Sequence, residues 1–204
     1  MGLQGVADRK GSRTSVLPYY SDASFTPRWL LPGTEAVRHL HSIPAFKLTN
    51  QDGELISEGS IAGKIYVADF FFSTCPGICP RMTDNMTILQ EAFLDDPGVL
   101  LLSHSVMPEL DTVEVLKKYA EEKGIISGKW HLLTGDRELI YDLGRYQYFV
   151  EEDLGLERKA TDFLHTENFV LIDKNRHIRG IYNGLNKTAI RQLIADIQTL
   201  KEER

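Results

Sequence analysis

Cys75 and Cys79 stand four positions apart and are the only two cysteines in 204 residues. The stretch around them reads Phe70-Phe71-Phe72-Ser73-Thr74-Cys75-Pro76-Gly77-Ile78-Cys79-Pro80. An apolar run, Ile65 to Phe72, leads in and is broken only by Asp69; a helix predicted over Arg81–Phe93 leads out. Thiols at a strand-to-helix turn are reactive, because the exposed N–H groups and partial positive charge of a helix start favour thiolate over thiol. The thiolate is both nucleophile and metal ligand, so the pair permits a disulfide, a redox couple or a metal clamp. If the intervening residues wind as one helical turn, both sulfurs lie on one face. Pro76 and Pro80 stiffen that turn, and Gly77 tolerates backbone conformations closed to other residues.

A specific metal site needs a third donor. The candidates are His39, His41, His104, His131, His165 and His177, any of which reads equally well as a surface or core histidine. His165 stands out by position, at the end of a loop just before the strand predicted over Asn168–Ile172, on the side where loops approach the cysteine turn. Two thiolates and an imidazole suit copper: sulfur selects Cu(I), while mixed nitrogen and sulfur also hold Cu(II) or zinc. Met82, Met86 and Met107 offer thioethers near the turn, but their helical spacing reads as core packing. Asp69 is a candidate proton acceptor near the thiols or a hydrogen-bonded structural carboxylate. His104 lies in a buried strand pattern and reads as structural.

The elements that must position these residues follow from periodicity. Ile43–Thr49 and Leu55-Ile56 flank the turn Asn50-Gln51-Asp52-Gly53 and form a hairpin. Ile65–Phe72 and Val99–Ser103 are apolar on nearly every residue, as strands covered on both faces are. Met82, Met86, Leu89 and Phe93 recur at helical spacing. Asp111, with Glu114 three residues on, resembles a capping box for a helix that ends at Gly124. Trp130–Leu133 is a short strand and Asp136–Tyr146 a helix. Glu151–Asp162 is a polar loop. Asn168–Ile172 and Ile178–Tyr182 pair across Asp173-Lys174-Asn175, and Thr188–Leu200 closes the chain as an amphipathic helix. Strands alternating with helices, then a hairpin and a helix, make an α/β sandwich with a mixed central sheet and β-hairpins towards both ends. Residues 1–40, interrupted by Pro18, Pro27 and Pro32, form an extended leader, and residues 41–204 one domain. A reactive cysteine at the top of a central strand, opening a helix, resembles the thioredoxin-like fold.

The net charge of −6 and the lack of a basic stripe argue against a nucleic-acid surface. No run of about 18 apolar residues is present to span a membrane, and residues 1–30 lack the apolar core of a secretory signal.

Several segments together resemble the Sco/SenC family. Phe72 to Pro80 is similar to its Cys-Pro-x-x-Cys-Pro segment, and Ser105-Val106-Met107-Pro108-Glu109-Leu110-Asp111-Thr112 to its Ser-Val-Asp-Pro-Glu-x-Asp-Thr segment. Trp130 to Gly135 and Asp162-Phe163-Leu164-His165-Thr166 resemble two further segments, in the same order from about Ile43 to Leu200. The resemblance implies a thioredoxin-like domain binding one copper through Cys75, Cys79 and His165. It implies a metallochaperone for the binuclear copper site of cytochrome c oxidase, with that oxidase subunit or another cuproprotein as acceptor. It further implies a place at the periplasmic face of the inner membrane, held by an N-terminal anchor helix outside this sequence. Three acidic positions of the family are replaced here, by Gly77, Met107 and Leu164. The alternative is a thiol–disulfide oxidoreductase in which Cys75 attacks and Cys79 resolves. Against it, thioredoxin-type reductases have two residues between their cysteines and a cis-proline before the hairpin, and Thr161–Phe169 contains no proline. A peroxidase of the same fold would carry Thr or Ser three positions before the reactive cysteine, where Phe72 stands.

Overall fold

The computed structural model describes residues 14–150, 164 and 166–203. In chain order the elements are α1 (Glu35–Arg38), β1 (Lys47–Thr49), β2 (Leu55–Ser57), α2 (Glu58–Ile61), β3 (Ile65–Phe71), α3 (Cys79–Ala92), β4 (Val99–Ser105), α4 (Val113–Lys123), β5 (Trp130–Leu133), α5 (Arg137–Asp142), a π-helical turn over Leu143–Gln147, β6 (Asn168–Ile172), β7 (Ile178–Asn183) and α6 (Lys187–Glu202). Five strands form the central sheet in the order β5-β4-β3-β6-β7. β3, β4 and β5 run parallel, and β6 and β7 antiparallel to their neighbours. The β1–β2 hairpin is a separate two-stranded sheet, tied to the end of β5 by reciprocal 2.9 Å backbone bonds between Thr49 and Thr134.

β3 is the axis of the molecule, and all seven of its residues are buried. Alternation sends Val67 and Phe71 into one core layer with Met82, Met86 and Leu89 of α3 and Leu193 and Ile197 of α6. Tyr66, Ala68 and Phe70 enter the other layer, with Phe46, Ile140, Leu143 and Tyr148. The apolar run in the sequence therefore marks a strand sandwiched on both faces, and the cysteine turn leaves from its end.

Several boundaries differ from the sequence reading. α3 begins at Cys79 rather than Arg81, because Pro80 falls in the first helical turn, where its missing N–H has no partner to lose. Thr112 caps α4, its hydroxyl accepting from Val115 N at 3.4 Å; Asp111 instead turns inward. Gly124 ends α4 with φ of 68°, as its position suggested. Asp136 caps α5, but the helix widens into a π turn at Leu143 rather than continuing to Tyr146 as one α-helix. The first strand shrinks to Lys47–Thr49; Ile43 bonds Arg176 O at 2.9 Å instead. α1 and α2 were not evident from periodicity because each has only four residues. The polar stretch Glu151–Asp162 lies outside the described residues.

The leader lies against the sheet from Leu17 onward. Leu17 and Tyr19 are buried, and Tyr20 N bonds Ile178 O of β7 at 3.0 Å. Among the described residues no helix is long and apolar enough to cross a membrane.

Gly144, in the π turn, is where Leu164 and β3 meet. A methyl at this position would lie 2.6 Å from Leu164 Cδ2 and 3.1 Å from Phe70 Cε1. Gly144→Ala is therefore expected to cost about 1–3 kcal/mol by overpacking, measured by urea denaturation; an unchanged midpoint would show that this contact yields freely.

Candidate functional site

β3 ends at Phe71, and Phe72–Ile78 carry the chain over the end of this central strand into α3. Cys75 is half-buried in this turn and Cys79 is buried in the first turn of α3; both are free thiols. Cys75 N donates to Phe72 O at 3.2 Å. Burial opposes ionisation of the Cys75 thiol, but hydrogen bonds from the Cys79 thiol and from the backbone N–H groups of Cys79, Gly77 and Ile78 outweigh it, so its pKa is lowered. Cys79 goes the opposite way, pushed up to about 12 by burial first and by its place beside Cys75 second, with the Phe72 N–H opposing. Two sulfurs in contact thus differ in character. One is a half-buried sulfur that receives three backbone N–H groups and ionises more readily than an ordinary thiol, and the other is a buried thiol behind it. The arrangement can present two soft donors to a metal, or one attacking and one resolving sulfur.

Asp69 lies in β3 on the layer that holds Cys79. Its Oδ1 accepts from Ser103 Oγ at 2.5 Å, and Ser103 Oγ accepts from Trp130 Nε1 at 2.8 Å. Burial pushes the Asp69 carboxyl up to about 7, against the Ser103 hydrogen bond. Its folded pKa lies above the unfolded value, so the native state binds the extra proton, and stability falls as pH rises from about 4 to about 7. Asp69→Asn is expected to be more stable than the parent by on the order of a few kcal/mol at pH 8, and nearly equal to it at pH 4. Parallel denaturation curves at both pH values would expose an error in this sign.

The described histidines are all engaged elsewhere. His104 is fully buried in the other core layer, stacked on Phe70 at 4.8 Å, with Nδ1 3.2 Å from Asp69 O and Nε2 without a partner. Burial lowers its pKa to about 4, so it is a neutral core imidazole. His39 is exposed beside Glu35, His41 meets Gln147 O at 2.9 Å, His131 meets Asn50 at 3.1 Å, and His177 sits 3.5 Å from Asp173. Met82 and Met86 are core residues, while Met107 is half-buried at the end of β4. Among the described residues no group of three or more His, Cys, Asp or Glu is gathered for a metal ion. His165 lies outside the described residues. Its neighbours Leu164 and Thr166 are both buried, and Thr166 Oγ1 accepts from Asn168 N at the start of β6.

One residue at the site was misread in sequence. Asp111, fully buried, accepts hydrogen bonds from Ser73 and Ser105 beneath the cysteine turn. Its spacing to Glu114 imitates a helix cap, and no local pattern reports a contact across 38 residues.

The geometry has parallels in known proteins. The SCO1/SenC family model matches residues 35–202. The SCO1 protein homolog of Bacillus subtilis (strain 168) is 30% identical over 163 residues, which are 78% of this chain and 82% of that protein. The structure of BsSco, described as a member of the Sco family of cytochrome c oxidase assembly proteins with a disulfide switch, aligns with a TM-score of 0.67 and 29% identity over 80% of this chain and 95% of that one. Bradyrhizobium japonicum ScoI, solved with copper bound, shares the fold at a TM-score of 0.61 and 24% identity, over 78% of this chain and 99% of that one. The length of the family match and the identity to the Bacillus protein place this thioredoxin-like chain in the SCO1/SenC family.

Proposed function

We propose that this chain binds one copper ion through Cys75, Cys79 and His165 and delivers it to the binuclear copper site of cytochrome c oxidase. The observation that carries the reading is the pair of touching, unequal thiols at the mouth of α3. Two sulfurs are the donor chemistry of a soft ion, and they fit copper better than a hard cation. A third donor is needed, and the described residues gather none. His165 is our candidate. β6 runs antiparallel to β3, so the chain preceding β6 approaches the end of β3 from which the cysteine turn leaves. Leu164, one residue before His165, packs by Gly144 and Phe70. Leu164 is core, so its side chain supplies no acceptor to orient the imidazole.

The residues divide the work. The N–H groups of Gly77, Ile78 and Cys79 donate to the Cys75 sulfur and favour its ionised form, which is the form that bonds a metal. Half-exposed, Cys75 is also the sulfur that an acceptor's thiolate can displace. Cys79 must lose its proton to join. Binding therefore releases at least the Cys79 proton, and apparent affinity is expected to fall by at least about tenfold for each pH unit of acidification while Cys79 remains a thiol in the free protein. A competition titration between pH 6 and pH 8 checks this, and a flat profile would contradict it.

We further propose that residues 1–40 serve as a leader to the domain over 41–204, and that the domain faces the periplasm. Delivery is tested by mixing copper-loaded protein with the metal-free copper-binding domain of an oxidase. Appearance of the binuclear site's visible spectrum is the expected result, and copper retained by this chain would overturn delivery. A second reading, thiol–disulfide exchange, draws on the same unequal thiols: Cys75 would attack a partner disulfide and Cys79 would resolve the mixed disulfide.

A further inference from the structure

We infer that Asp111 is the positioning residue of the cysteine turn, setting where the Cys75 sulfur sits. The inference rests on the copper reading for its functional consequence, but not for its geometry. Asp111 is buried, and three donors face its carboxylate. Ser73 N approaches at 3.3 Å from Oδ1 and 3.2 Å from Oδ2, Ser73 Oγ lies 2.5 Å from Oδ1, and Ser105 Oγ lies 2.5 Å from Oδ2. The carboxylate is itself fixed: Asp111 N donates to Met107 O at 2.9 Å, and Met107 N donates to the same Ser105 hydroxyl at 3.1 Å.

What Asp111 grips is one particular peptide unit. Ser73 N–H and Phe72 C=O belong to a single planar amide, so fixing the direction of one fixes the other. The Phe72 carbonyl accepts from Cys75 N at 3.2 Å, and the Phe72 N–H bonds the Cys79 sulfur. Asp111 thus orients the amide that anchors Cys75, and it does so next to the residue that touches Cys79. Val106 N adds a 2.8 Å bond to Phe71 O, so the segment after β4 holds the start of the turn at two points. An acceptor-only side chain is what three converging donors require. Alanine would leave them unpartnered and free the Phe72–Ser73 amide to rotate. Asparagine keeps one oxygen for Ser73 N.

The test compares Asp111→Ala and Asp111→Asn with the parent, reduced and full length. In metal-free protein, amide hydrogen exchange at Ser73 and Cys75 is expected to accelerate at least ~10-fold in Asp111→Ala, while amides of β3 and β6 keep their protection. Copper affinity is expected to drop about 10–100-fold, the range seen when groups behind a ligand are removed, and Asp111→Asn, which keeps one acceptor oxygen, should recover part of both losses. If Asp111→Ala does not fold, Ser105→Ala, which releases one side of the carboxylate, is expected to give the same two effects at smaller size. Unchanged exchange at Cys75 and unchanged affinity in a folded Asp111→Ala would overturn the inference. So would losses in which Asp111→Asn does no better than alanine and all amides accelerate alike. A parent protein that binds no copper would overturn the metal reading, and the exchange data would still decide the role of Asp111.

Discussion

Arg179→Met is expected to destabilise the protein by about 3–5 kcal/mol, the loss found when one member of a buried ion pair is removed and its partners stay behind. Arg179 is only 2% exposed, on β7. Its guanidinium reaches Asp173 Oδ2 at 3.1 Å and Glu203 Oε2 at 2.8 Å, and donates to Leu17 O at 2.7 Å and Pro18 O at 3.1 Å. The Tyr19 ring covers it, with the guanidinium carbon 3.9 Å from the ring centroid. Glu203 in turn accepts from Leu17 N at 3.0 Å. One planar cation therefore fastens three separate pieces of chain: the leader, the turn after β6 and the end of α6. Methionine fills much of the volume but strands two carboxylates in a dry site. At roughly 2–4 °C per kcal/mol for a domain of this size, the midpoint should fall by on the order of 10 °C.

The effect should also depend on pH. Burial raises the Asp173 pKa, but hydrogen bonds from His177 and the nearby His177 and Arg179 charges more than offset it, so the net shift is downward. A depressed carboxylate contributes stability above its unfolded pKa and loses it as pH falls through the folded value. The gap between parent and Arg179→Met is thus expected to be full at neutral pH and to narrow below about pH 4. Thermal melts at pH 7 and pH 3 measure both quantities, and a variant as stable as the parent at pH 7 would show that the cluster merely breaks even.

His165→Ala is expected to weaken copper binding by more than about 100-fold, since removing groups that only orient a ligand already costs 10–100-fold. The two thiols remain, so a residual site with two sulfur donors should persist, and the mobility of the Cys75–Cys79 pair between dithiol and disulfide should be unaffected. Isothermal competition against a chelator reads the first quantity, and equilibration in glutathione buffers reads the second. If the variant loses affinity but keeps the disulfide equilibrium, metal binding and thiol exchange are separable uses of one turn. If copper affinity does not change, the third donor lies elsewhere.

Much of this fold is legible in the sequence because its axis is an unusual one. A strand buried on both faces leaves an apolar run that no surface element shares, and Ile65–Phe71 is such a run. The cysteines are legible because they are alone and follow it directly. The order of the remaining elements follows from helical spacing such as Met82, Met86, Leu89 and Phe93. What escapes is long-range and polar. Asp111 bonds Ser73 from 38 residues away, and Arg179 bonds Leu17 from 162 residues away; in sequence the first resembles a helix cap and the second is one residue of a hairpin strand. Short elements escape for a different reason. α1, α2 and the π turn have only four or five residues each, too few to establish a period.

A copper titration of the reduced protein, followed by absorption spectroscopy in parent and Cys75→Ser, tests the paired-sulfur site most directly. The expected result is one ion per chain with a thiolate-to-Cu(II) charge-transfer band that vanishes in the variant. Substantially less than one ion per chain, or a band that survives the loss of Cys75, would contradict it.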